Sequence, residues 1–169
     1  DEYGIPLVRV QHHHAHLAAL TTELSLAGPQ TAIVADGTGY GEDGTMWGGE
    51  VLVGSASGYQ RIAHLRQIKL VGGDSAVKQP WKIALALLHE AIPESIPAFV
   101  DRLRNSELRG SSVSNAGTLN AETAFPQFSA PAAREIDAVL QMLHSGTSVV
   151  LTSSLGRLFD GVSALLGVC

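Results

Sequence analysis

The spacing of apolar and polar residues changes period several times along this chain, and each change marks an element. After a short opening, PLVRVQ (residues 6–11) reads as a strand. HHHAHLAALTTEL (12–24) has helical spacing and runs into a small loop holding Gly28 and Pro29. TAIVAD (31–36) reads as a buried strand that leads straight into the glycine-rich turn DGTGYGEDG (36–44). TMWGGEVLVGS (45–55) then alternates as a returning strand, so strand, turn and strand predict a hairpin.

YQRIAHLRQI (59–68) predicts a further strand and LVGGDSAVKQP (70–80) a loop. WKIALALLHEAI (81–92) predicts an apolar helix in which Ile83, Ala84, Leu87 and Leu88 recur at helical spacing. Residues 92–128 combine a helical stretch, IPAFVDRLRNSEL, with a Ser-, Asn- and Thr-rich one of turn character, RGSSVSNAGTLNAET. That section is expected to be a surface excursion or an inserted subdomain. APAAREIDAVLQMLHSG (130–146) is helical with a glycine stop, SVVLTSS (148–154) is short and strand-like, and LGRLFDGVSALLGVC (155–169) is an amphipathic helix. An α/β fold with mixed hairpins follows, and a helix that reaches the last residue suggests a fragment of something longer.

Composition narrows the classes. The 169 residues, 45% hydrophobic and 16% charged, suffice for one domain with a core. A net charge of −5 without any cluster of Lys and Arg argues against duplex nucleic acid as a partner. No apolar run approaches the roughly 20 residues a bilayer needs, and DEYGIPLVRV lacks the layout of a secretion signal, so a soluble, cytoplasmic protein away from membranes is expected. Cys169 is the only cysteine, which leaves no internal disulfide. No partner base marks it as a nucleophile, and no catalytic side chain is assigned.

Four of the seven histidines fall within five positions of VQHHHAHLAAL (10–20). On a helix His12 and His16 stand on one face, as do His13 and His16, so either pair can bring two imidazoles to one metal ion; the plainer reading is a solvated polar cluster. A purification tag does not fit a run broken by Ala15 and set between two elements. In DGTGYGEDG the glycines allow backbone N–H groups to approach phosphate oxygens, and Asp36 at the strand end can bind a metal or its water. Gly-rich hairpin turns are common, however, and neither GxxxxGK[ST] nor GxGxxG is present. Arg157 and Asp160 lie near the start of the last helix, where an anion is favoured, although an intrahelical Arg–Asp pair explains them more simply. Asp74 reads as a helix N-cap, with Lys78 and Lys82 as phosphate-compatible cations or merely the face of a capped surface helix.

VQHHHAHLAA, DGTGYGEDGTMWGGE, LVGGDSAVKQPWK and TSSLGRLFDGVSALLG occur in the order found in HypF-type hydrogenase maturation carbamoyltransferases, which the chain resembles over most of its length. The resemblance implies an actin-like ATPase (ribonuclease H-like) lobe with an inserted, mainly helical segment, as a fragment of a two-lobe domain. Residues 1–66 would form the first lobe core, 67–145 the insertion and 146–169 the return strand and helix, with 92–128 away from the nucleotide cleft. It implies His12, His16 and Asp36 as ligands of a divalent metal, iron or zinc, and Gly37, Thr38 and Gly39 on the phosphate side. Gly156, Arg157 and Asp160 would lie near the ribose or phosphates of ATP or carbamoyl-adenylate, with magnesium accompanying the nucleotide.

The implied reaction converts carbamoyl phosphate and ATP to carbamoyl-adenylate and passes the carbamoyl group to the C-terminal cysteine of HypE, on the way to the cyanide ligands of [NiFe] hydrogenase. Alternatives are carbamoylation of a small-molecule hydroxyl or, for this chain alone, a non-catalytic interaction module. The family's glycine-rich GGVxxN-type segment and a later metal-binding aspartate are expected beyond Cys169.

Overall fold

The structure, a computed structural model, describes residues 4–73, 75–109 and 131–168, with the side chains of 106–109 excepted. The chain divides into two compact units. The first comprises Asp1–Gln67 and Thr152–Gly156, and the second Ile68–Leu151 and Arg157–Cys169.

In the first unit, helix α1 (His12–Glu23) begins at Gln11, whose extended backbone and side-chain oxygen, accepting from the His14 N–H at 2.8 Å, supply the N-cap. Residues 4–11 carry no regular structure, so the strand expected over PLVRVQ does not form. Ile5, Leu7, Val8 and Val10 are all exposed there, without a partner strand to bury their alternation. The buried face of α1 is His13, Leu17 and Thr21, four residues apart at each step. Leu17 packs with Val34, Trp47 and Leu52, flanked by Ala32 and Tyr59.

Those partners come from strands β1 (Gln30–Tyr40), β2 (Met46–Ser55) and β3 (Gly58–His64), each antiparallel to the next. The expected hairpin is therefore present, but its turn is shorter than DGTGYGEDG suggests. β1 continues through Tyr40, and reversal falls on residues 41–45, closed by the Gly41 N–H donating to the Thr45 carbonyl at 2.8 Å. Along β1 the register shifts between Ala35, opposite Gly49, and Gly39, opposite Trp47. Four steps on β1 thus face two on β2.

In the second unit, β4 (Ile68–Val71) forms where a loop was expected, and β5 (Val149–Thr152) lies beside it. Its residues Ile68, Leu70 and Val71 are buried, which a four-residue run next to two glycines does not announce. A short α2 (Ser75–Lys78) leads into α3 (Pro80–Ala91), buried over most of its surface, and then α4 (Ile96–Arg109). Helix α5 (Ala133–Ser145) stops at Gly146 in the left-handed conformation, with φ 70°. In α6 (Leu155–Leu166), a Cβ on Gly161 would meet Leu87 Cδ1 at 2.5 Å and Ile83 Cγ2 at 3.0 Å, so this glycine permits close packing on α3. The turn-like stretch 110–123 and Asp74 lie outside the described residues, as does Cys169. Among the described residues no helix is long and apolar enough to cross a membrane.

Candidate functional site

The four histidines at the start of α1 face three ways. His12 and His16 face outward together, with their Nε2 atoms 3.2 Å apart and their rings edge to face at 4.7 Å. Asp36, in the shifted stretch of β1, brings Oδ2 to 2.8 Å from His12 Nε2 and 3.8 Å from His16 Nε2. One ligand atom from each of the three residues lies within 4.8 Å of the others, the one such group of His, Cys, Asp or Glu among the described residues.

Burial pushes the Asp36 carboxyl up, but the Gly37 N–H, the hydrogen bond and charge of His12, and the Thr38 N–H outweigh it and hold it below the usual aspartate range. The carboxylate is therefore ionised at neutral pH.

His13 points inward and is fully buried. Its Nδ1 lies 3.2 Å from Gln11 Nε2, while its Nε2 has no hydrogen-bond partner and sits 3.7 Å from the same Asp36 oxygen. Burial lowers its pKa against the pull of Asp36 and Glu50, which keeps the imidazole neutral. His14 turns to the opposite side, with Nε2 at 2.8 Å from the Ser55 carbonyl and its ring stacked on Tyr59 at 4.8 Å. Two imidazole nitrogens and one carboxylate are a donor set that suits zinc or iron, so His12, His16 and Asp36 fit a divalent metal.

The glycines around Asp36 are packed to different degrees. A Cβ on Gly37 would meet nothing within 4 Å, whereas one on Gly39 would meet His13 Cε1 at 2.3 Å and His12 Cδ2 at 3.0 Å. Gly37, Thr38 and Gly39 thus lie in β1 rather than in the turn, and Gly39 allows the strand to pass against α1. From the segment after β5, a Cβ on Gly156 would stand 2.7 Å from the Gly37 Cα.

Arg157 and Asp160 belong to the second unit, where Nη2 and Oδ2 pair at 2.8 Å across one turn of α6, as the simpler reading of their spacing predicts. Lys82 Nζ donates to Ser75 Oγ at 3.2 Å and lies 5.7 Å from the centre of the Trp81 ring. Lys78 ends α2.

A polar cluster that the sequence reading passed over supports the hairpin. Glu50, with no exposed surface, accepts from the Gly48 and Gly49 N–H groups at 2.9 and 3.1 Å, from Ser153 Oγ at 2.6 Å and from Arg61 Nε at 2.6 Å. Arg61 also donates to Asp43 Oδ2 at 2.9 Å and to Ser153 Oγ at 3.2 Å, and its guanidinium lies 4.1 Å from the Trp47 ring centre. The signal was a lone acidic residue inside the apolar alternation of WGGEVLVG, at a position whose neighbours face the core.

Residues 32–169 match the family described as "Carbamoyltransferase, Kae1-like Domain, second subdomain". The chain is 40% identical over 169 residues to the carbamoyltransferase HypF of Rhodobacter capsulatus, covering 98% of this chain and 19% of that protein. It is 36% identical to the Synechocystis HypF, covering 99% of this chain and 20% of the relative. It is also similar to the crystal structure of full-length HypF in the phosphate- and nucleotide-bound form, at 32% identity and a TM-score of 0.72, over 98% of this chain and 18% of that one. The chain spans about a fifth of the length of these relatives. With a match across most of its length and a shared fold, this chain belongs to the HypF carbamoyltransferase family and corresponds to the second subdomain of its Kae1-like domain.

Proposed function

We propose that this chain is the metal-holding part of a carbamoyltransferase whose parent domain is a two-lobed, actin-like ATPase fold. The observation that carries the reading is the convergence of His12, His16 and Asp36, within 4.8 Å of one another, in a chain of this family. In the parent, carbamoyl phosphate gives carbamate and phosphate, carbamate attacks the ATP α-phosphorus to give carbamoyl-adenylate and pyrophosphate, and the carbamoyl group passes to a thiolate, the C-terminal cysteine of HypE. The new C–S bond forms as the bond from the carbamoyl carbon to the adenylate oxygen breaks, and AMP leaves.

A divalent ion bound at this centre, iron or zinc, supplies positive charge against the oxygen that becomes negative during attack. His12 and His16 each offer a neutral nitrogen, and Asp36 contributes the anionic ligand. His13, neutral and buried beneath them, keeps water from the inner side of the cluster. Gly37, without a side chain and open to its surroundings, leaves room for a phosphate group beside Asp36, with Thr38 and Gly39 following it along β1. Gly156, Arg157 and Asp160 are the proposed contacts to the nucleotide, with magnesium accompanying the phosphates. The parent works in the cytoplasm.

The deciding experiment supplies the full-length parent with carbamoyl phosphate, ATP and HypE, and follows thiocarboxamide on the acceptor by mass spectrometry. Formation by the wild type and loss in His12→Ala support the reading. Undiminished formation by His12→Ala and Asp36→Ala ends it. Because the chain spans about a fifth of its relatives, it is proposed to be inactive alone and to act as a module of the whole. A small-molecule hydroxyl as acceptor is the alternative, tested by replacing HypE with a small alcohol and looking for its O-carbamate by mass spectrometry.

A further inference from the structure

Asp36 does not sit in a regular strand. The ladder between β1 and β2 is interrupted between Ala35 and Gly39, so the carbonyls of this stretch need partners other than β2. Those of Asp36 and Gly37 find one in Ser154, whose hydroxyl donates to the Gly37 carbonyl at 2.6 Å and lies 3.4 Å from that of Asp36.

Ser154 is itself held firmly. Its side chain is buried at 4% exposure, and its N–H donates to Thr152 Oγ1 at 3.1 Å. Thr152 pairs with Met46 of β2, and the Ser153 N–H donates to the Met46 carbonyl at 2.9 Å. The Ser153 hydroxyl is fixed in turn by Glu50 at 2.6 Å. Two glycines close the space around this contact: a Cβ on Gly48 would stand 2.5 Å from the Asp36 carbonyl oxygen and 3.0 Å from Ser154 Cα. Gly156 likewise allows the approach to Gly37, whose Cα would stand 2.7 Å from a Cβ placed there.

We infer that Ser154 is the positioning residue of the metal centre, holding the shifted stretch of β1 so that the Asp36 carboxylate meets His12 and His16. The link is direct. Ser154 holds the Gly37 carbonyl, and the Gly37 N–H donates to Asp36 Oδ1 at 2.6 Å, leaving Oδ2 aimed at the histidines. A carboxylate ligand gripped from behind by its own backbone, with that backbone gripped by a buried hydroxyl, loses little freedom when it takes a metal. This assigns the TSS of TSSLGRLFD to the metal side of the site, and it rests on the reading of His12, His16 and Asp36 as ligands.

The test uses this chain with cobalt(II) as the probe, reading affinity by competition with a chromophoric chelator and geometry from the visible d–d bands. Ser154→Ala is expected to bind cobalt about 10–100-fold more weakly, with altered d–d bands, the range seen when groups that orient a ligand are removed. Ser154→Thr, which keeps the hydroxyl, is expected to recover both. Wild-type affinity and spectrum in a folded Ser154→Ala would overturn the inference. If that variant does not fold, Gly156→Ala, whose Cβ would press on the Gly37 Cα, is measured in the same way, and an unchanged spectrum there has the same force. His12→Ala separates the two readings. Loss of cobalt in His12→Ala but not in Ser154→Ala removes only the role of Ser154, whereas wild-type binding in His12→Ala removes the metal centre itself.

Discussion

Arg61 Nε lies 2.6 Å from Glu50 Oε2, a carboxylate that has no exposed surface, and the same guanidinium reaches Asp43 in the turn between β1 and β2. One side chain on β3 therefore ties together the turn, the middle of β2 and, through Ser153, the segment that follows β5. Replacing Arg61 with alanine leaves Glu50 charged, buried and short of a partner, an error that costs about 3–5 kcal/mol in comparable pairs. Arg61→Ala is expected to lower the urea midpoint accordingly. Arg61→Lys should recover only part, because an ammonium lacks the fork that reaches Glu50, Asp43 and Ser153 at once. Equal stability of Arg61→Ala and wild type would refute this.

The same cluster sets the response to acid. Asp43 is held down to about 2, because hydrogen bonds from Thr45 and Trp47 and the charge of Arg61 outweigh its burial. For Glu50, burial is likewise outweighed, by Ser153, Gly48, Gly49 and Arg61, and its pKa falls below the ordinary 4.5. Groups whose pKa is depressed on folding bind fewer protons in the native state, so their stabilisation is full above the unfolded values and declines as pH falls through the folded ones. Melting temperature should therefore drop as pH is lowered from about 4.5 towards 2. The Asp43→Asn variant should show a shallower decline; an identical slope would show that Asp43 is not a source of it.

For the proposed metal centre, His12→Ala and His16→Ala are expected to lower the bound metal measured by elemental analysis while the far-UV circular dichroism is retained. Both side chains are about half exposed, so their loss leaves little cavity. His14→Ala serves as the contrast, since its Nε2 is engaged by Ser55 on the other side of the helix. A drop in metal content in His14→Ala equal to that of His12→Ala would argue for binding by the histidine run as a whole.

Two glycines two residues apart should behave oppositely. Gly39→Ala places a Cβ within 2.3 Å of His13 Cε1 and is expected to destabilise the fold by about 1–3 kcal/mol, the range for overpacking. Gly37→Ala adds a methyl where nothing lies within 4 Å, and should leave the melting temperature nearly unchanged. Thermal melts of the two variants, with wild type, decide it.

Much of this was written in the sequence, because the helices and the hairpin strands carry their own periodicity. The HxxxH spacing put His12 and His16 on one helical face without any tertiary information, and Gly146 marked the end of α5. Spacing could not choose between His12 and His13 as the partner of His16; the structure buries His13 and leaves His12 beside His16 and Asp36. β4 stayed hidden because its four residues are too few to show a period. PLVRVQ misled for the opposite reason, having the alternation of a strand but no neighbour to pair with among the described residues. The contact of Ser154 with Gly37 was illegible because it spans more than 100 positions of the chain, and Glu50 left a trace in WGGEVLVG while its equally distant bond to Ser153 did not.

The interrupted ladder has a consequence for how this domain can be improved. Removing two residues between Ala35 and Gly39 would let β1 and β2 zip without a gap, and selection for thermal stability alone would favour such a hairpin. It would also carry off the backbone on which Asp36 turns towards the helix. Consensus-style or computational smoothing of this hairpin should therefore yield proteins that melt later and hold metal worse, and residues 36–38 are the ones to leave untouched.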